Sequence, residues 1–291
     1  MNHVLALALV VADVVVRAWR IQLAVSTSGG SIGFWSAVRL NLYGEAASTL
    51  TPNRLGGEPA RFLGLTEARV RPVASIVAIG IEVAAEWPVF MLLGVALILY
   101  YIPDWQTQAT RWLRGHHAGE LVAIELVTLF ILALIYLLQR MTRSGAIRHR
   151  VRRQWRVAWA HVSRAPRWIL AAGALLTVVS IAARALILPA LAWGHPGAPP
   201  FGRMFFGALT LLHAPFVLPL PSGGGGVEVI FLSGFAGDFG AHQVATLVLW
   251  RFYTAILPTV LGALALIRSV GYRAAGELLR IGWVRRSKEV P

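Results

Sequence analysis

The chain has 291 residues, 57% of them hydrophobic and only 14% charged, with a mean hydropathy of +0.64. A soluble domain carries about 25% charged residues and a disordered chain is poor in apolar ones, so both classes are excluded. The net charge of +14 comes from 26 arginines and one lysine, which cluster beside apolar runs as in cytoplasmic loops rather than forming a nucleic-acid footprint. With no cysteine, there can be no disulfide, thiolate metal site or cysteine nucleophile.

Apolar runs of about 18 residues or more, enough to cross a ~30 Å hydrocarbon layer, recur along the chain. They predict an all-α polytopic membrane protein, one transmembrane domain over 1–291, with about five spanning helices and two re-entrant helical hairpins of inverted topology.

The first span is expected from His3 to Val25. It lacks the basic start and cleavage site of a signal peptide; Arg17 and Arg20 mark its cytoplasmic end and leave the N-terminus outside. A second apolar segment, Phe34 to Leu50, breaks at Thr51-Pro52-Asn53-Arg54-Leu55-Gly56-Gly57 and resumes from Glu58 to Leu65. At ~1.5 Å per residue the returning limb reaches about 12 Å, too short to cross, so the segment dips into the bilayer and comes back. A long span follows from Val73 to Ile102, with Glu82 and Glu86 on one helical face. The polar stretch from Pro103 to Gly119 is expected outside, with Trp105 and Trp112 as interfacial anchors.

Glu120 to Leu138 returns to the cytoplasm, where residues 140–167 hold nine arginines and no acid. Trp155 and Trp159 make this segment an amphipathic helix on the inner leaflet. Trp168 to Trp193, interrupted by Arg184, leads out again. A second broken segment then runs from Met204 to Leu218, through Pro219 to Gly226, and returns over Val227 to Phe235. The last span, Val244 to Ile267 with Arg251 and Pro258, brings the basic tail, 268–291, back inside.

Residues 34–102 and 203–267 read as two copies of one unit: an apolar half-helix, a Pro-then-Gly break, a glutamate, a short returning half-helix and a full span with an ionisable residue near its start. Glu58 precedes Glu82 by 24 positions and Glu228 precedes Arg251 by 23. Inverted repeats on discontinuous helices mark transporters, with the site at the midplane where the breaks meet. There Arg54 and Arg61 suit bidentate phosphate contact, as does Arg251, while Gly223 and Gly224 line the site with backbone. The half-helix starts after Gly57 and Gly226 add oriented N–H groups.

Glu58 and Glu228 either cap their half-helices or act in the site. Glu82 and Glu86 are charge partners or proton carriers; as static glue they would pair with Arg251 or Arg184. Asn41, Tyr43 and Glu45, on the first entering half-helix, either face the cavity or are structural, the structural role being preferred. His116 and His117 are adjacent and cannot share a helical face as a metal pair, and Ser222 lies outside any G-x-S-x-G elbow.

The segment Pro52 to Arg61 resembles the P-x-R-x-G-E-x-x-R segment of the transmembrane, flippase-type domain of lysylphosphatidylglycerol synthases. Pro219 to Glu228 resembles that family's second Pro/Gly-rich segment, Glu82 with Glu86 its acidic pair, and Arg251 the arginine of its late helix. The resemblance covers essentially the whole chain. It implies a role in moving or handling lipids across the bacterial inner membrane, and with the arginines and half-helix N-termini of the breaks the expectation is translocation of an anionic phospholipid or lipid-linked headgroup. The family usually has one further helix ahead of the segment with which this chain begins, so this member is either trimmed or shorter there. The soluble aminoacyl-transferring domain has no counterpart here, so lipid aminoacylation is not implied. The alternative is an intramembrane enzyme acting on polyprenyl or lipid phosphates. No cofactor, metal or nucleic-acid partner is expected; the partners are membrane lipids, and homo-oligomerisation is left open.

Overall fold

The computed structural model describes residues 1–52, 54–115, 165–218 and 220–268. The expected span over 120–138, nearly all of the basic segment 140–167 and the tail beyond 268 lie outside the described residues. The chain forms two compact units, Met1–Val89 with Ala165–Pro291, and Phe90–Arg164. Of the second, the described part is a helical stretch ending at Gly115.

Among the described residues the structure is helical, with one isolated β-bridge. Helix α1 (Asn2–Thr27) contains neither proline nor glycine, and it stops where Gly29 takes a left-handed φ of 78° and the N–H of Gly30 returns to the carbonyl of Val25. It therefore runs past Arg17 and Arg20, which are buried at 9% and 3% exposure. This corrects the expectation that they mark an interface: they sit within the packed helix, where a charge persists only with a partner.

Helix α2 (Phe34–Leu50) ends at Thr51, held extended because Pro52 follows it. Helix α3 (Gly57–Glu67) starts with Pro59 in its first turn, where a missing N–H is harmless. The two limbs of this hairpin touch through glycine: a Cβ on Gly64 would lie 2.2 Å from Leu40, and one on Gly57 would lie 2.2 Å from Ser48 Oγ. Helix α4 (Pro72–Gly115) extends beyond the expected end at Ile102, through the stretch read as a polar loop. Residues such as Gln106, Gln108, Ala109, Arg111 and Leu113 are strong helix formers and carry it past Pro103.

Helices α5 (Arg167–Ala185) and α6 (Ile187–Ala192) are offset at Leu186, because Pro189 has no N–H for the carbonyl of Ala185. The second hairpin is α7 (Phe201–Val217) with α8 (Gly226–Gly234). Helix α9 (Gln243–Arg251) passes into a π-helical turn, Phe252–Ile256, and continues to Arg268. Pro258 lies two residues beyond it and has no N–H for the carbonyl of Thr254, four residues back within that turn.

Among the described residues three segments are long and apolar enough to cross a membrane: Pro72–Tyr101, Arg167–Ala192 and Gly240–Arg268. Large apolar side chains project from them into the surroundings, including Trp87, Leu175 and Leu264. Helix α1 packs mainly against α5 and α2, presenting fully buried small residues such as Ala6 and Ala18, which let membrane helices approach closely. Gly173 lets α5 approach Ala85 of α4, and Tyr43 donates to the carbonyl of Ala265 at 3.3 Å, so the end of the last helix backs onto α2.

Candidate functional site

The two breaks meet. Pro52 of the first and Pro221 of the second form an antiparallel bridge, and both prolines are exposed. Each break also holds a non-glycine residue in the left-handed region, Arg54 at φ 60° and Ser222 at φ 57°. Such backbone is costly, and where it occurs it concentrates at functional turns. From the first break Arg54 reaches the second hairpin, its guanidinium 5.4 Å from the centre of the Phe216 ring.

Behind the breaks, α1 carries the stripe Asp13, Arg17 and Arg20, one helical face at i, i+4 and i+7. Arg17 Nε donates to Asp13 Oδ1 at 3.0 Å and to Ser180 Oγ at 3.1 Å, and its Nη1 reaches Glu45 Oε2 at 3.3 Å. Arg184 of α5 spans the same two acids, with Nε 2.7 Å from Asp13 Oδ2 and Nη2 3.0 Å from Glu45 Oε1. Ser180 completes the shell by donating to Asp13. Arg54 Nη2 donates to both oxygens of Glu45, 3.0 Å from Oε2. Three guanidinium groups, from three elements, thus converge on one carboxylate.

One turn further along α1, Arg20 Nε donates to Glu82 Oε1 at 2.9 Å, its Nη2 lies 3.4 Å from Glu86 Oε2, and its Nη1 donates to Thr177 at 2.8 Å. Arg61 joins this group, 3.1 Å from Glu58 and 3.7 Å from Glu82. It lies flat against Gly44, where a Cβ would come within 2.6 Å of its Nε. Arg17, Arg20, Arg54, Arg61 and Arg184 balance Asp13, Glu45, Glu58, Glu82 and Glu86, so the cluster is formally neutral. That balance is what allows so many charges to be buried among apolar helices.

The second hairpin is simpler. Arg251 Nε donates to Glu228 Oε1 at 2.7 Å, and its Nη1 reaches the carbonyl of Ser222 at 3.1 Å. The π-helical turn begins at the next residue. Phe231 stands three positions after Glu228, as Arg61 stands three after Glu58, and is fully buried. Arg61 links Glu58 to Glu82, whereas Glu228 is paired directly with Arg251.

Of the residues singled out in the sequence, Arg54, Glu58, Arg61, Glu82 and Glu86 fall in the cluster, while Glu228 and Arg251 form a separate pair beside the second break. Gly223, at φ 65° and buried, and Gly224 form the turn there. The expected partners of the acidic pair are corrected: Glu82 and Glu86 bind Arg20, Arg184 binds Asp13 and Glu45, and Arg251 binds Glu228. Glu58 and Glu228 hold arginines. Asp13, Arg17 and Arg20 carry no expectation of a site in the sequence, and for Glu45 the structural role is the one preferred there. Three charges on one stripe of an otherwise apolar helix were the signal for the first three.

Within the cluster there is little open space. Acids and arginines touch one another, and a cavity of about 10 Å³ beside Arg61 and Glu82 has room for a single water. Among the described residues no group of three or more His, Asp or Glu side chains is placed to hold a metal ion.

Long apolar helices wrapped around a buried, neutral charge cluster define an all-helical membrane protein. The family described as the lysylphosphatidylglycerol synthase transmembrane region matches residues 2–262, and the chain belongs to that family. Membership fits a lipid-related role in a membrane. No curated protein and no solved structure matches the chain significantly.

Proposed function

We propose that this protein translocates an anionic phospholipid or lipid-linked headgroup across the bacterial inner membrane, without chemical change to the lipid. The two hairpins are re-entrant and of inverted topology, the first opening to the cytoplasm and the second to the outside, with the N-terminus outside and the C-terminus inside. The observation that carries this is the meeting of the two breaks at Pro52 and Pro221, with Arg54 reaching across them from the charge cluster.

In the closed form every arginine of the cluster holds a carboxylate. A phosphate entering between the breaks offers Arg54 an equivalent acceptor, so one charge-assisted pair is exchanged for another and little free energy is lost. Arg54 suits the exchange: it stands in a loop and its side chain is 19% exposed, while Glu45 keeps Arg17 and Arg184 when Arg54 leaves. Separation of the breaks on alternate sides then carries the headgroup past the cluster while its acyl chains stay in lipid.

The test is scrambling of a fluorescent phosphatidylglycerol in proteoliposomes, read by dithionite quenching of the outer leaflet. Arg54→Gln is expected to fall to the rate of protein-free vesicles. A wild-type rate from that variant, folded and reconstituted equally well, overturns the proposal.

A further inference from the structure

We infer that Arg17, Arg54 and Arg184 form a phosphate subsite which the carboxylate of Glu45 occupies in the closed conformation. This deepens the translocation reading and rests on it.

Glu45 is 4% exposed and accepts from all three guanidinium groups, at 3.3 Å from Arg17, 3.0 Å from Arg184 and 3.0 Å from Arg54. The donors come from α1, from α5 and from the first break, and they approach both carboxylate oxygens. A phosphate ester presents oxygens of the same charge type and suits the same planar forks. Charge points the same way. In this half of the cluster three arginines face two acids, Asp13 and Glu45, and once Glu45 is displaced they face Asp13 alone, an excess of positive charge that draws a phosphate in. The opposite surplus lies around Arg20 and Arg61, which face Glu58, Glu82 and Glu86.

Asp13 and Ser180 hold Arg17 and Arg184 from the other side, so these two stay fixed whether or not Glu45 is present. Arg54 has Glu45 as its acid and sits at a left-handed turn beside the exposed Pro52. Glu45 is therefore an internal anion, and a phosphate reaches the arginines only by displacing it. A site whose competent form is a minor population binds more weakly by that fraction, so weakening Glu45 as a competitor tightens the site.

The probes are dioctanoyl phosphatidylglycerol and glycerol 1-phosphate, titrated against the full chain in phosphatidylcholine nanodiscs and followed by tryptophan fluorescence. Glu45→Gln removes the internal charge. Glu45→Asp keeps the charge but leaves it one methylene short of Arg54, and it decides alone where the glutamine variant does not fold. Both are expected to bind the short-chain lipid about tenfold more tightly than the wild type, and adding Arg184→Gln is expected to abolish the gain.

A gain shared by glycerol 1-phosphate assigns the site to the phosphate ester alone, and a gain confined to the lipid assigns it to a headgroup held in the bilayer; either supports the inference. Unchanged or weaker binding in the folded Glu45 variants overturns it. If scrambling still fails in Arg54→Gln, that result sinks the subsite and leaves translocation standing. Tighter binding in the Glu45 variants together with wild-type scrambling by Arg54→Gln does the reverse.

Discussion

Arg184 Nε lies 2.7 Å from Asp13 Oδ2, and both side chains are about nine-tenths buried or more. Arg203 and Asp238 form a pair of similar length, 3.0 Å, but the arginine is half exposed. Equal geometry does not mean equal consequence. Removing one partner of the buried pair strands a charge where water cannot reach it, so Asp13→Asn is expected to cost about 3–5 kcal/mol. Arg203→Ala is expected to cost about 0–1 kcal/mol, because water and salt already compete for that pair. Equilibrium unfolding in mixed micelles measures both. In the same assay Asp13→Asn combined with Arg184→Gln is expected to cost less than the sum of the single variants by about 1–3 kcal/mol, since the second change removes the charge that the first left stranded. Strict additivity would mean that the two side chains do not share one network.

At the scale of helices, close approach through glycine holds the first unit together, and the tightest case is Gly262. A Cβ there would lie 2.1 Å from the carbonyl oxygen of Leu42, a backbone atom of α2 that cannot swing aside. Gly262→Ala is expected to destabilise by at least about 1–3 kcal/mol. At Gly94 of α4 a Cβ meets nothing within 4 Å, and alanine there is expected to stabilise by about 0.5–1 kcal/mol through helix propensity alone. Opposite shifts in melting temperature check the pair. The helices themselves were legible where proline and glycine punctuate them. Phe34 to Leu50 was bounded correctly because Pro52 withdraws a donor and constrains Thr51, which is local chemistry. The contacts were not legible, because the partner of a buried charge depends on which helices pack together. Arg17 and Arg20 look alike in sequence whether a helix ends beside them at a headgroup layer or carries them on into a core. Glu45 was read as structural because nothing local announces that Arg184, far along the chain, and Arg54 converge on it. Arg251 was offered an acid from the other repeat, when Glu228 of its own hairpin lay nearer.

For the molecule as a whole, alternating access requires the two breaks to part, and the bridge between Pro52 and Pro221 states where. Residues paired across antiparallel strands have Cα atoms about 4.5–5.5 Å apart, inside the ~4.4–6.8 Å range that a disulfide spans. The chain has no cysteine, so a pair introduced there has no competing thiol. Both prolines are exposed and neither supplies an N–H to the bridge, so replacing them leaves its backbone bonding intact. The double variant Pro52→Cys, Pro221→Cys is expected to cross-link under mild oxidation. Scrambling should then drop to the protein-free rate, with reductant restoring most of the lost activity in the same vesicles. Each single-cysteine variant, carried through the same oxidation, separates the effect of the bond from that of losing a proline. If the oxidised protein, shown by mass to be cross-linked, moves lipid as fast as its reduced form, headgroups pass without the breaks separating. The opening would then lie elsewhere, and the closed cluster behind Arg54 would be a strut rather than a gate.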